Sequence, residues 1–88
     1  MMPIPIDVIA TFNTMGQIKP NFIRVEDQEH TLQTVKIEQI ESRKEENYGG
    51  AKAEVFVCQV MLEEAVKTIR IRYSLQTHQW VLLNEYCY

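Results

Sequence analysis

Regular alternation of apolar and polar residues over residues 67–76 constrains the fold of this chain more than any other feature. The segment reads KTIRIRYSLQ, in which Ile69, Ile71 and Tyr73 alternate with Thr68, Arg70 and Arg72. A period of two residues is the pattern of a β-strand that buries only one face. We therefore predict a strand here, with two arginines side by side on its outward face.

Five other segments have the composition of strands or leave that assignment open, and short polar turns separate them. They are residues 3–12, 17–27, 30–50, 51–62 and 80–86. The turn at residues 13–16 ends in Gly16, which can adopt a positive φ. Residues 51–62 are apolar on both faces, which indicates a central strand or a barrel wall with something packed outside it.

Residues 30–46 allow two interpretations. Their Gln, Glu, Lys and Arg content, and the Gly49-Gly50 pair that follows, are typical of a helix with a glycine stop. As a strand, Val35 and Ile37 share one face, and Ile40 returns to it if one extra residue bulges out. Because β-branched residues are frequent here, the strand is favoured.

Six strand segments joined by short turns are typical of an antiparallel meander that is closed, or nearly closed, into a small barrel. We therefore predict an all-β fold, a six-stranded antiparallel meander or barrel. It forms a single domain that spans residues 1–88. The alternative is an α+β fold with a helix around residues 30–46 on an antiparallel sheet.

Several short motifs occur in a fixed order along the chain. They are I-x-V-x-A-x-F at Ile6, Val8, Ala10 and Phe12, G-x-I-x-P at Gly16, Ile18 and Pro20, a segment with His30, Val35, Lys36 and Ile37, F-x-C at Phe56 and Cys58, and W-x-L at Trp80 and Leu82. This order resembles that of uncharacterised small β-rich bacterial domains. The resemblance spans most of the chain and implies the fold, but it carries over no function.

Composition and charge limit the class of protein. A hydrophobic content of 45% and a charged content of 24% are those of a globular chain, not of a disordered one. The net charge of −3 argues against a general attraction to nucleic acids or to anionic membranes.

The sequence shows neither of the usual signals for insertion into a membrane or for export. No segment approaches the ~20 apolar residues of a membrane span, and the N-terminus lacks the basic region of a signal peptide. We therefore expect no membrane partner and a cytoplasmic protein. In that compartment Cys58 and Cys87 would be reduced thiols.

Residues with catalytic or metal-binding chemistry are few and scattered. The soft metal ligands are Cys58, Cys87, His30 and His78, and none of them lie close enough to form a local chelate. The paired glutamates fall in expected turns, where solvated charge is the simpler explanation. We therefore expect no catalytic residue, no metal, no cofactor and no enzymatic activity.

A binding face is the one functional feature that the pattern indicates. Barrels that bind single-stranded nucleic acid combine cations with stacking aromatic side chains. The candidate residues for such a face are Arg24, Lys67, Arg70, Arg72 and Trp80. Against this, a small core needs the indole of Trp80, and the arginines can pair with glutamates such as Glu54 or Glu85.

We therefore expect a non-catalytic bacterial accessory module that acts through protein–protein contacts. Apolar residues on both faces of residues 55–62, and again at residues 81–83, provide more apolar surface than one small core requires. A protein partner or a homodimer would cover that surface. The alternative is a single-stranded nucleic-acid-binding barrel that uses the arginine face.

Overall fold

A computed structural model describes residues 4–26 and 29–83. It contains six strands, β1 (Ile4–Phe12), β2 (Ile18–Glu26), β3 (Leu32–Tyr48), β4 (Ala51–Leu62), β5 (Ala65–Ser74) and β6 (Trp80–Leu82). Each strand pairs antiparallel with the next, and β6 pairs with β1, so the sheet closes into a barrel. The predicted six-stranded all-β fold is confirmed, and the alternative with a helix around residues 30–46 is wrong.

The interior of the barrel is filled by the inward side chains of all six strands. The most deeply buried are Ile23, Phe56, Cys58, Val60, Ile69 and Ile71, each with 0% of its surface exposed. The strand β1 completes the core with partly buried residues that pack against this cluster, namely Ile6, Val8 and Ala10. Alternation therefore works as predicted in β5, and β1 follows the same pattern, with one face toward the core and the other toward solvent.

β3 is a strand because two β-bulges correct its mismatched periodicity. The pairing of β3 with β4 shifts between Ile37 and Gln39 and again between Ile40 and Ser42. The extra residues are Glu38 and Glu41, and skipping them keeps Ile37 and Ile40 on the core side. The sequence predicted one bulge, and the structure has two.

β3 also extends well past its neighbour β2. It pairs with β2 only from Leu32 to Lys36, and its remaining residues pair with β4 alone among the described strands. From Ser42 to Tyr48 that pairing with β4 runs without a register shift. Among the described strands, the segment Ser42–Tyr48 therefore has a neighbour on one side only, and we call it the open edge of β3.

β2 bends where the sequence placed a proline. Ala10 of β1 lies opposite Pro20 and Ile9 lies opposite Phe22, so Asn21 is an extra residue. Pro20 has no N–H to contribute to a ladder and is fully buried. The bend separates the first half of β2 from β3.

Positive φ angles define three of the turns. At residues 13–16, Gly16 has φ 80° and donates its N–H to the carbonyl of Asn13 at 2.9 Å, as the sequence predicted. Gly49 and Gly50 form a two-residue hairpin turn with φ angles of 58° and 90°. Glu63 and Glu64 form another two-residue turn, with φ angles of 51° and 64°, which residues other than glycine rarely adopt.

Candidate functional site

The two predicted arginines of β5 lie on the outside of the barrel. Arg70 lies opposite Val57 of β4, and Arg72 lies opposite Val55. Although Val55 faces outward, only 4% of its surface is exposed. We attribute this to the long aliphatic stems of the residues beside it, Arg72 on one side and Lys44 on the other. Part of the second apolar face of β4 is thus covered by the protein itself.

Arg24 does not join these arginines. It lies on β2, opposite Asp7 and Thr34, and two strands separate β2 from β5 in either direction around the barrel. Lys67 also lies on β5, but opposite the core residue Val60, so it is on the face opposite to that of Arg70 and Arg72, and it is half-buried. The basic candidates therefore occupy two sides of the molecule instead of one continuous face.

Trp80 faces the interior. Only 8% of its surface is exposed, and its ring lies 5.7 Å from that of Phe56 and 4.9 Å from that of Tyr73. An indole held in this cluster provides no stacking platform beside the arginines. The candidate face of cations and a tryptophan is not assembled in this structure.

The expected cross-strand partner of the arginines lies on the other side of the sheet. Glu54 is opposite Tyr73, whose side chain is buried, whereas Arg70 and Arg72 point outward. The carboxylate of Glu54 instead pairs with the guanidinium of Arg43 at 3.4 Å. The other expected partner, Glu85, lies outside the described residues, as does Cys87.

Arg43 closes one end of the barrel, a role that the sequence did not predict. Its guanidinium donates a hydrogen bond to the carbonyl of Ile18, across the gap where β2 and β3 no longer pair. The same group lies 4.9 Å above the ring of Phe56. Arg43 lies directly opposite Phe56 and is therefore on the inner side; the two bulges reverse the alternation twice and leave Arg43 on the face of Val35 and Ile37.

A groove lies on the outer wall where β2 bends away from β3. It has a volume of about 600 Å³. Its apolar lining includes Ile9 of β1 and Phe22 of β2, and Lys19 and Lys36 add positive charge. Ile9 and Phe22 are directly opposed neighbours, and half of Ile9 is exposed to solvent. This pairing places two large apolar side chains side by side on an outer surface, where polar residues are the usual choice.

The other side chains that could react or bind a metal have structural explanations. The hydroxyl of Tyr73 lies 2.8 Å from Nδ1 of His78. Burial is the main reason that the pKa of the Cys58 thiol rises to about 12, with the charge of Glu41 adding to it, so this thiol stays neutral and unreactive at neutral pH. Within residues 4–26 and 29–83, no group of three His, Cys, Asp or Glu side chains could hold a metal ion.

Two further findings concern the chain as a whole. In the described part of the chain, no helix has the length and apolar character required to cross a membrane. No protein-family model, curated protein or solved structure matches the sequence or the fold. The groove and the open edge of β3 must therefore be interpreted from their own geometry.

Proposed function

We propose that this protein is a non-catalytic accessory module that binds another protein through the outer wall of its barrel. The observation that carries the proposal is the groove beside Ile9 and Phe22. Its apolar lining fits apolar side chains of a partner, and Lys19 and Lys36 suit acidic residues that flank them.

The filled interior supports a function on the outer wall. A six-stranded barrel is narrow, and here its inner positions are occupied by a continuous cluster of aliphatic and aromatic side chains. A small-molecule ligand would have to displace that cluster. The outer groove requires no such rearrangement.

Nucleic-acid binding has weaker support. The basic residues lie on two sides of the barrel, Trp80 is buried, and the net charge of the chain is −3. Single-strand binding depends on cations and stacking aromatic rings along one track. The arrangement of these side chains therefore favours a protein partner.

The proposal places the module in a bacterial cytoplasm. Cys58 is a free, fully buried thiol, which is the usual state of a cysteine in a reducing compartment. Detection of the native protein in the soluble fraction of its own cells, with Cys58 unmodified, would test this part of the proposal.

Affinity capture with three forms of the purified protein tests the groove. Ile9→Lys places a charge in the groove and should abolish retention of the partner proteins. Met61→Lys makes the same change at a site of similar exposure, 48%, on the β4–β5 hairpin, and should leave retention unchanged. Capture of the same proteins by all three forms, or specific capture by none of them, would contradict the proposal.

A further inference from the structure

We propose that the open edge of β3, Ser42–Tyr48, pairs with the same edge of a second copy of this chain to form a two-fold dimer. This inference extends the proposed function, because it names a second copy of this chain as one protein that the barrel binds. It rests on a different surface from the groove, so each can fail without the other.

The backbone of this edge has the geometry to form hydrogen bonds with a second strand. Ser42–Tyr48 is a regular strand of about 23 Å in length, and its pairing with β4 has no register shift. In a strand with one neighbour, alternate residues direct their N–H and C=O groups toward the unpaired side. The two bulges at Glu38 and Glu41 end this regular stretch and limit the new ladder to the segment beyond them.

The charges along the edge are self-complementary. Arg43 and Lys44 are followed by Glu45 and Glu46, two basic residues and then two acidic ones. An antiparallel partner runs in the reverse direction, so the basic half of one strand faces the acidic half of the other. A two-fold axis at Glu45 places Lys44 of each copy directly opposite Glu46 of the other.

The side chains that would form these pairs are on the outer face and accessible. Lys44 and Glu46 lie opposite Val55 and Ala53 of β4, which puts both on the same side of the sheet. Lys44 is exposed and Glu46 is half-buried. On the inner side, Arg43 lies diagonal to the partner's Glu45 in this register, which offsets the approach of the two Glu45 carboxylates on the axis.

Charge variants analysed by sedimentation equilibrium over a hundredfold range of concentration test this inference. Wild type should be a dimer at micromolar concentration. Lys44→Glu and Glu46→Lys each replace two attractive pairs with two repulsive ones, and each should raise the dissociation constant at least about tenfold. The double variant Lys44→Glu/Glu46→Lys exchanges the charges, restores the complementary pairs and should restore the dimer.

A matched control separates this effect from a change in net charge. Lys52→Glu makes the same charge change as Lys44→Glu on the neighbouring strand, directly opposite Asn47, and should leave the dimer intact. Ile9→Lys should also leave it intact, because it alters only the groove. A monomeric wild type, or a dimer that survives both single variants, would overturn the inference; failure of partner capture in the groove experiment would leave it standing.

Discussion

Arg43 shows how much one side chain contributes where a barrel wall opens. Its guanidinium satisfies the carbonyl of Ile18, pairs with Glu54 at 3.4 Å and covers the ring of Phe56. These contacts connect β2, β3 and β4 at the end of the barrel where β2 and β3 have separated. A charged hydrogen bond to a partly buried carbonyl contributes more than an exposed ion pair.

We expect Arg43→Ala to lower the free energy of unfolding by about 1–3 kcal/mol, because it removes the hydrogen bond and the cation–π contact together. Lys52→Ala, at an exposed position of β4, should change it by less than about 0.5 kcal/mol. Urea unfolding of the two variants measures the difference. Equal stability of the two would show that Arg43 is an ordinary surface residue.

At the residue scale, the sequence predicted that alternate residues of β4 share a face, but it did not predict the role of Arg43. Phe56, Cys58 and Val60 alternate without interruption, so their shared face follows directly from the pattern. With the single bulge that the sequence suggested before Ile40, Arg43 would face outward; the second bulge, at Glu41, returns it to the inner side, and a bulge depends on how the partner strand fits. Its positive charge also suggested an outward position, because desolvating a cation is costly unless it is paired.

At the element scale, glycine determined where a positive φ angle could be predicted. Gly16 and the Gly49-Gly50 pair mark their turns in the sequence, because positive φ is easy only for glycine. The Glu63-Glu64 turn has the same two-residue form without either glycine. The sequence predicted that the chain turns after Leu62, although residues 63–67 could also be read as a short helical turn, and it did not indicate the two positive φ angles.

The double variant Glu63→Asn/Glu64→Gly should stabilise the protein by about 1–2 kcal/mol, because Asn-Gly suits a turn with two positive φ angles. Thermal or urea unfolding measures this gain. The matched control is Gly50→Glu, which should destabilise by a similar amount through the backbone alone, since a Cβ at Gly50 meets no atom within 4 Å. An unchanged or lower stability of the double variant would contradict the assignment of strain to Glu63 and Glu64.

At the scale of the whole molecule, the order of strands around the barrel prevents the candidate binding residues from forming one face. The six strand-like segments and the turns between them predicted the number of strands, and alternation predicted which side of β5 faces inward. Neither showed that β2 and β5 lie on different sides of the barrel, which separates Arg24 from Arg70 and Arg72. The groove was also unpredictable, because it arises where a bend in β2 and the bulges of β3 coincide.

The arginine face has a testable consequence for the whole protein. Arg70→Glu/Arg72→Glu should leave the fold in place, with a stability loss of at most about 1 kcal/mol. At low salt, neither wild type nor the double variant should retain single-stranded DNA or RNA, because the net charge is −3 and the basic residues are divided between two sides. Micromolar binding by wild type that is lost in the folded double variant would show that this face is a nucleic-acid site.

Two-dimensional amide NMR gives the most direct test of whether this protein contacts a second copy through the open edge of β3. The spectra are recorded over a hundredfold range of protein concentration. We predict that the signals of Ser42–Tyr48 shift as concentration rises, whereas those of buried residues such as Phe56 and Ile69 do not. Shifts centred on Arg70 and Arg72, shifts that spread through the core, or spectra that do not depend on concentration would contradict pairing along the open edge of β3.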